Sequence, residues 1–497
     1  MSQGKKIASE PALFVVTSEL HAHIPKRHFY EQLGQVLDLT FVRPLTAGLY
    51  APRLGRPSLD PVVFFKCMLV AFFENVIYDT ELEFRLADSL VIRKFLGYGL
   101  EERTPDESTL RKTRQAMPDE VFRAVFERVL AQCKQHGLVR GRALGTDSSY
   151  VDANASLDSL VHRELGCSYE DFMLAVRRQD EPELTAAEAQ RQDRQAHLPL
   201  DNASWVSTTD AEARIRQHRD GHTHLSYTVE TVVDLETGVV LQVSAEPADL
   251  GDTATVLDRV EEACQALAGL GLETAPRVLV ADKGHEEGTV LEELEARGLV
   301  PLISSKRQSQ GAAGFRQRDF TYDAVADTYT CPAGKLLTRR ADRAGGRQYR
   351  MVGTTACRQC PHFGLCTRAA KGRRLLVHPQ AEALAANRER VHRPEAWPLW
   401  AARRTRGEAP FAYFKQFGGL RRLMGHGLAF AMKKALVAGM GWNLLRLLKV
   451  GAALSASFAA FAALWLLLLA LWEAISRAAG GNAALHPWRA LQSRPAT

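Results

Sequence analysis

Acidic residues are nearly absent from the most basic part of this 497-residue chain. Between Arg403 and Lys449 there is one acid, Glu408, against ten basic residues: Arg403, Arg404, Arg406, Lys415, Arg421, Arg422, Lys433, Lys434, Arg446 and Lys449. A net charge of +6 would not by itself indicate nucleic acid. This local concentration does suit a polyanion, because each neutralised phosphate releases counterions. The alternative is a solvated helical face, and the position of the lone acid favours the first interpretation.

Two further absences concern the ends of the chain. Met1 to Lys6 lack the apolar core of a secretory signal, so we expect a cytoplasmic, nucleoid-associated protein. Residues 450–472 lack charge and are long enough to span a bilayer. Much of that run is Ala, Ser and Gly, so we expect residues 451–497 to form an apolar helix and tail, and membrane insertion is the less favoured alternative.

The composition is that of a folded globular protein, with 46% apolar and 24% charged residues. The sequence predicts that residues 1–140 are helical. Asp60 followed by Pro61 predicts the start of a helix that continues through an apolar run. A shorter helix after Thr104 carries Arg111, Lys112 and Arg114, so the region is either a helix-turn-helix that contacts DNA or an ordinary helical packing domain.

The middle of the chain predicts a mixed sheet. Strand-like runs end at Asp147 and Asp282, and a hairpin is indicated over residues 227–243. Helices are expected over residues 253–270 and 287–297, with a short strand at residues 299–303. A three-stranded antiparallel meander that continues into parallel strand–helix units is the ribonuclease H-like layout. In it, Asp147 and Asp282 lie on neighbouring strands and a later helix brings Glu408 against them.

Three carboxylates from distant parts of the chain provide hard oxygen ligands, which Mg²⁺ prefers. Asp147, Asp282 and Glu408 are therefore predicted to hold two Mg²⁺ or Mn²⁺ ions for an in-line phosphodiester displacement. A strand-end Asp taken alone is more often a turn or cap residue. α-Helical spacing would place Arg404, Glu408 and Lys415 on one stripe, so Arg404 and Lys415, together with Arg421 and Arg422, are predicted to contact DNA phosphates.

These motifs resemble bacterial insertion-sequence transposases with a DDE catalytic domain, over most of residues 55–450. The segments that carry the resemblance are Arg56–Pro61, Thr104–Leu110, Gly145–Ser148, Ala281–Gly284, Glu408–Phe411 with Lys415, and Asn443–Arg446. The third acid lies in a Tyr-x2-Arg-x3-Glu-x6-Lys signature, in which Ala401 replaces Tyr. His285 stands where an aromatic Tyr is usual after the second Asp.

The resemblance implies an α/β fold: a ribonuclease H-like mixed-sheet core with an α-helical N-terminal domain and a Cys-containing insertion. We expect the catalytic domain to comprise residues 141–304 and 396–450, with the insertion at residues 305–395. The implied activity is metal-dependent cleavage at terminal inverted repeats and strand transfer into target DNA by a homo-oligomer. The alternatives are a ribonuclease H-like nuclease without strand transfer and a non-catalytic DNA-binding protein derived from a transposase.

Four of the eight cysteines fall in the insertion: Cys331, Cys357, Cys360 and Cys366. Their spacing is roughly that of a zinc knuckle, with His362 as an alternative ligand. Disulfides are disfavoured in a reducing cytoplasm, so the alternatives are a structural Zn²⁺ site or reduced, non-ligating thiols.

Two further aspartates, Asp252 and Asp152, are not predicted to be metal ligands. Asp252 is predicted to cap a helix, and Asp152, five residues after Asp147, to point to the opposite face of its strand.

Overall fold

The computed structural model describes residues 24–25, 28–50, 58–195, 200–218, 221–272, 275–305, 315–340, 342, 346–353 and 355–449. Arg56, Pro57 and the apolar segment and tail predicted at residues 450–497 lie outside the described residues. The chain divides into two compact units, residues 1–444 and 445–497. Within the described ranges, no helix has the length and apolarity needed to cross a membrane.

The described part of the N-terminal region is helical, as predicted, and residues 1–23, 26–27 and 51–57 of the predicted helical region lie outside it. Its helices are α1 Phe29–Val36, α2 Val42–Thr46, α3 Pro61–Phe73, α4 Asp79–Asp88, α5 Leu90–Leu96, α6 Glu107–Ala116 and α7 Asp119–Gln135. The α3 helix is buried along most of its length and packs on α7 through edge-on rings of Phe64, Phe65 and Phe122. Asp60 caps α3 by accepting from the amide of Val62 at 2.8 Å, which confirms the predicted start.

Two basic residues of α6 are engaged within this helical region. Arg114 is largely buried and makes a two-pronged contact with Asp79, at 2.8 and 2.5 Å. Arg111 pairs with Glu107 one turn earlier on the same helix. Arg114 therefore joins α6 to α4, and Lys112 is exposed on the surface.

The central sheet has the predicted ribonuclease H-like order. Its strands are β1 Ala143–Asp152, β4 Arg214–Gln217, β5 Thr223–Asp234, β6 Val240–Pro247, β7 Val278–Ala281 and β8 Val300–Ile303. The order is β4–β5–β1–β7–β8, with β6 also paired to β5. β1 is antiparallel to β5 and parallel to β7, and β7 is parallel to β8. The meander and the parallel units thus meet at β1, which carries Asp147.

Helices follow the strands and cover the sheet. They are α10 Asp252–Gly269, α11 Gly288–Ala296, α12 Ala381–His392, α13 Trp397–Ala402 and α14 Ala409–Gln416, and a last helix, α15, runs through residues 428–449. Between β1 and β4 lie β2 Leu160–His162, α8 Tyr169–Asp180, α9 Ala186–Gln195 and β3 Trp205–Ser207, where β2 and β3 form a small sheet of their own.

Two buried asparagines form hydrogen bonds with backbone groups at the edges of the central sheet. Asn443 on α15 accepts from the Val240 amide and donates to the Val240 carbonyl, both at 2.8 Å. Asn387 on α12 does the same for Ile303 of β8, at 3.1 and 2.8 Å. Each side chain pairs with the backbone of one edge residue, as a neighbouring strand would, and so holds its helix against that edge.

The predicted insertion contains a second sheet. Its strands are β9 Thr321–Asp323, β10 Thr328–Thr330, β11 Leu336–Arg339, β12 Arg347–Met351 and β13 Arg374–Val377, paired antiparallel in chain order. Its core is separate from that of the central sheet and includes Tyr329, Leu337, Tyr349 and Cys357. The sequence indicated an insertion here but not its strands.

Candidate active site

Asp147 lies in the middle of β1, where the antiparallel and parallel halves of the sheet meet. β1 pairs with β5 over residues 144–152 and with β7 over residues 143–145, so Asp147 lies two residues beyond the last parallel pair. Its side chain is 20% exposed, and its Oδ1 accepts from the Ser148 amide at 3.1 Å. The carboxylate therefore sits at the carboxyl end of the parallel strands, where open α/β sheets bind ligands.

Asp282 follows directly after β7 and caps a short 3₁₀ turn, Lys283–His285. Its Oδ1 accepts from the Gly284 amide at 2.9 Å, and Nδ1 of the buried His285 also lies 2.9 Å away. His285, which departs from the usual aromatic residue, thus holds the orientation of the carboxylate. The hydrogen bond from His285 is the largest reason that the pKa of Asp282 falls to about 2.

Glu408 enters the site through an irregular helical segment. Residues Arg403–Gly407 form a π-helical turn between α13 and α14, closed by the bond from the Glu408 amide to the Arg403 carbonyl at 3.0 Å. A π turn adds one residue to the helical repeat and is frequent at functional sites. The expectation that Arg404, Glu408 and Lys415 share an α-helical stripe is therefore wrong. The extra residue in the π turn rotates the side chains before Gly407 about the helix axis, relative to those that follow it.

As a result of that rotation Arg403, and not Arg404, faces the acids. Its side chain is 9% exposed; Nη1 donates to Glu408 Oε1 at 2.7 Å and Nη2 to Asp147 Oδ1 at 3.2 Å. Its positive charge also lowers the pKa of Asp282. Asp147 and Glu408 thus contact one buried cation, whose charge also acts on Asp282. The sequence did not single out Arg403 for this role.

The pKa of Asp147 is raised by burial and by the negative charge of neighbouring acids. Burial is the largest cause that raises its pKa to about 6, and the nearby Asp282 and Glu408 raise it further, while Arg403 lowers it. Carboxylates that repel one another in a partly buried site are the donor set that a hard divalent ion neutralises. Asp147, Asp282 and Glu408 are thus of the ligand type that suits Mg²⁺ or Mn²⁺. As placed, these three are not among the described groups of metal-ligating atoms that lie within 4.8 Å of one another. Arg403 supplies positive charge to Asp147 and Glu408.

A fourth carboxylate, Asp252, belongs to the same site. Gly251 is the N-cap of α10, so the prediction that Asp252 caps the helix is wrong. Its Oδ1 accepts from the Ser148 hydroxyl at 2.8 Å, and it forms a cluster with Asp282 and His285 whose donor atoms all lie within 4.8 Å. The sequence did not predict that Asp252 lies beside Asp282, because the approach of α10 to the end of β7 is a tertiary contact.

Gly284 lies close to the carboxylates of both Asp252 and Asp282. A Cβ built on Gly284 would lie 2.4 Å from Asp252 Oδ2 and 3.0 Å from Asp282 Oδ1. The glycine in the motif Ala281–Gly284 thus allows α10 to bring Asp252 beside Asp282.

The predicted DNA-contacting residues have different environments. Arg404, Arg421 and Arg422 are exposed, while Lys415 is partly buried on α14. Arg422 forms an isolated parallel bridge with Asp152 at the end of β1. Arg421 and Arg422 thus border the end of the strand that carries Asp147.

The four insertion cysteines surround one small pocket. Cys331 lies in the β10–β11 turn, and Cys357, Cys360 and Cys366 lie between β12 and β13, with His362 beside them. The Lys335 amide donates to Cys331 Sγ at 3.3 Å and the Arg373 amide to Cys357 Sγ at 3.2 Å. All eight cysteines are free thiols. As placed, the four sulfurs are not among the described groups of metal-ligating atoms that lie within 4.8 Å of one another.

Comparison with known families gives two matches. Residues 18–116 match the model described as transposase domain (DUF772), and residues 330–448 match the model described as transposase DDE domain. The second match includes Glu408 but neither aspartate. A search of curated protein sequences returns no match.

Comparison with solved structures gives weak alignments to transposases. One is the cryo-EM structure of the piggyBac transposase synaptic complex with hairpin DNA, at 8% identity over 86% of this chain and 77% of that chain, with a TM-score of 0.32. Another is the Mos1 transposase paired-end complex with left transposon end, at 13% identity over 51% of this chain and 61% of that chain, with a TM-score of 0.16. The fold assignment therefore depends on the strand order described above.

Proposed function

We propose that the chain is a DDE transposase, which cleaves DNA at the terminal inverted repeats of an insertion sequence and joins the freed ends to target DNA. Its matches to two transposase domain models support this proposal. The observation that carries this proposal is the contact of one buried guanidinium, that of Arg403, with both Asp147 and Glu408. Carboxylates from β1 and from the start of α14 meet there, and Asp282 lies close enough to raise the pKa of Asp147.

Asp147, Asp282 and Glu408 would hold two divalent ions, Mg²⁺ or Mn²⁺. When bound, such ions activate a water or a 3′-hydroxyl and stabilise the leaving oxygen of a phosphodiester. The protein's part is to hold the carboxylates in place: His285 orients Asp282, and Ser148 ties Asp252 to the strand that carries Asp147. Arg403 places a positive charge against Asp147 and Glu408.

Arg404, Lys415, Arg421 and Arg422 would position the DNA backbone. Arg404, Arg421 and Arg422 are exposed, and a guanidinium can donate two hydrogen bonds to one phosphate. Such contacts fix where the strand lies without reading its sequence. Charge-removing variants of these residues should therefore weaken binding to all DNA sequences and reduce its salt dependence.

The proposal is tested with Asp147→Asn, Asp282→Asn and Glu408→Gln in cleavage of a DNA that carries the element's inverted repeat. Each is expected to abolish cleavage while DNA binding survives. The matched control is Asp258→Asn, which removes an exposed acid from α10 and should leave cleavage unchanged. Retained cleavage by any of the three would remove that residue from the metal-binding set.

A second assay separates the proposed function from its rivals. Pre-cut ends, a target plasmid and Mg²⁺ should yield joined products if the chain is a transposase. Cleavage without joining would indicate a nuclease, and DNA binding with neither activity would indicate a non-catalytic binder. We propose that the active form is a homo-oligomer associated with the nucleoid, and that residues 141–304 and 396–450 form its catalytic domain.

We also propose that the insertion binds a structural Zn²⁺ through Cys331, Cys357, Cys360 and Cys366. The four cysteines line one small pocket, and backbone amides donate to two of their sulfurs, which supports this because such bonds stabilise thiolate ligands. The ion would draw the thiols together and tie the β10–β11 turn to the segment between β12 and β13.

The zinc content of the purified protein tests whether the insertion cysteines bind an ion. Cys360→Ser should lose about one zinc per chain relative to the parent protein, and Cys167→Ser, which alters a cysteine outside the insertion, should lose none. Chelation should then increase amide hydrogen exchange in β9–β13 and leave the central sheet unaffected. Equal zinc content in the two variants would contradict the assignment.

A further inference from the structure

A second group of metal-ligating side chains lies at the far end of β1. Asp152, the last residue of β1, faces His218, which follows β4, and His224, in β5. Their donor atoms all lie within 4.8 Å of one another. Asp152 is five residues beyond Asp147, roughly 16 Å along the strand, and the odd separation places the two side chains on opposite faces. This group is therefore separate from the candidate active site.

The distances within the group are those of ligands around an ion. Nδ1 of His218 lies 3.7 Å and Nδ1 of His224 lies 3.6 Å from the same oxygen, Oδ1 of Asp152. Both distances are longer than a hydrogen bond. Ligands that bind one first-row metal at about 2.0–2.2 Å lie roughly 3–3.5 Å from each other, so a small inward movement closes the site.

The imidazoles are held in this orientation by their surroundings. Nε2 of His218 lies 2.8 Å from the hydroxyl of the buried Ser226, so Nδ1 is left to face Asp152. The ring of His218 stacks on Tyr150 on β1, with centroids 5.1 Å apart, and on His224, with centroids 4.4 Å apart. A hydrogen bond to the non-ligating ring nitrogen is the usual way in which proteins aim a histidine at a metal.

We propose that Asp152, His218 and His224 form a binding site for a divalent first-row transition metal, with zinc the favoured ion. Two imidazoles and one carboxylate are borderline ligands that suit Zn²⁺ better than Mg²⁺. The side chains are 36%, 17% and 31% exposed, in that order, which leaves a coordination position open to solvent.

The ion would fix the position of a segment that carries predicted DNA contacts. The Asp152 amide donates to the Arg421 carbonyl at 3.0 Å, and the Leu423 amide donates to the Asp152 carbonyl at 2.8 Å. Metal binding to the Asp152 side chain would therefore tie residues 421–423 and the start of β5 to the end of β1. This role does not depend on catalysis at Asp147.

Zinc content of the purified full chain tests the proposal, with excess Mg²⁺ present to occupy the carboxylates of the active site. His218→Gln and His224→Gln should each lose about one zinc per chain relative to the parent, whatever the cysteines hold. The matched control is His222→Gln, an exposed histidine in the same hairpin, which should lose none. Equal zinc in all three variants would overturn the proposal.

Asp152→Asn provides a second measurement if a histidine variant fails to fold, because it keeps the shape of the side chain and the backbone bonds to residues 421 and 423. Zn²⁺ should slow hydrogen exchange of the Leu423 amide in the parent protein and leave it unchanged in Asp152→Asn. The same slowing in both proteins would also overturn the proposal.

Discussion

The hydroxyl of Ser148 on β1 donates to Asp252 Oδ1 at 2.8 Å, so the residue that follows the first candidate metal ligand is bound to a carboxylate from helix α10. Asp252 also lies beside Asp282 and His285. Asp252 is thus held by a side chain of β1, and Asp282 by the Gly284 amide and the His285 ring in the turn that follows β7.

The first prediction concerns this contact. Asp252→Asn keeps the side-chain shape but removes one negative charge, so Mn²⁺ affinity should fall about 10- to 100-fold, as when other outer partners of metal sites are altered. Titration calorimetry measures the affinity, and cleavage activity should fall in parallel. Asp258→Asn, on an exposed face of the same helix, is the control. An unchanged Mn²⁺ affinity in Asp252→Asn would show that Asp252 only packs against the site.

Removal of Arg403 should have opposite effects with and without metal. Arg403→Ala leaves Asp147 and Glu408 without their shared cation, so the metal-free protein should lose about 2–4 kcal/mol of stability. Added Mn²⁺ should then raise the melting temperature more in Arg403→Ala than in the parent, because the ion no longer displaces a guanidinium. Arg404→Ala, which removes an exposed arginine, should respond as the parent does. A smaller metal response in Arg403→Ala would mean that Arg403 assists metal binding.

Gly284→Ala should weaken metal binding through a steric clash. The new methyl group would lie 2.4 Å from Asp252 Oδ2, so one of the two aspartates must move. We expect a loss of at least about tenfold in Mn²⁺ affinity, in line with displacement of an outer partner. Gly269→Ala, at the end of α10 with nothing within 4 Å of its added methyl group, is the control and should bind Mn²⁺ normally. Normal affinity in Gly284→Ala would show that the cluster can expand without cost.

Much of this arrangement could be predicted from local sequence. Asp60 before Pro61 determines the start of α3, and strand-like runs located β1 and β7 because their residues are buried on both faces. Arg403 could not be identified, since the choice between Arg403 and Arg404 depends on one extra residue in a π turn. Asp252 could not be identified either, because an acid at a helix start is normally a cap. Its functional position depends on where α10 packs.

Glu230 should make the stability of the fold depend on pH. It is 6% exposed on β5; burial is the largest cause that raises its pKa to about 7, and the hydrogen bond from Thr255 lowers it. Between about pH 4.5 and pH 7 the folded protein therefore holds a proton that the unfolded chain releases, so this residue reduces stability as the pH rises through that window. Glu230→Gln keeps an acceptor for Thr255 and should stabilise the protein at pH 8 by about 1–3 kcal/mol, with little effect at pH 4.5.

Thermal unfolding of the parent and Glu230→Gln between pH 4.5 and pH 8 measures the difference. Glu261→Gln, which alters an exposed acid on α10, is the control and should change stability equally at all pH values. A constant difference between Glu230→Gln and the parent would show that Glu230 is ionised throughout the range.

Metal binding should become linked to the release of a proton when the pH falls below about 6. The pKa of Asp147 is raised to about 6, first by burial, whereas that of Asp282 is lowered to about 2, first by its hydrogen bond with His285. A proton on Asp147 competes with the ion, so the apparent Mn²⁺ affinity should fall about tenfold for each pH unit below 6, and Asp282 should stay ionised. Mn²⁺ titrations from pH 5 to pH 8 measure this. Asp147→Asn should bind more weakly but without the break near pH 6, and an affinity in the parent that is constant down to pH 5 would mean that Asp147 is already ionised there.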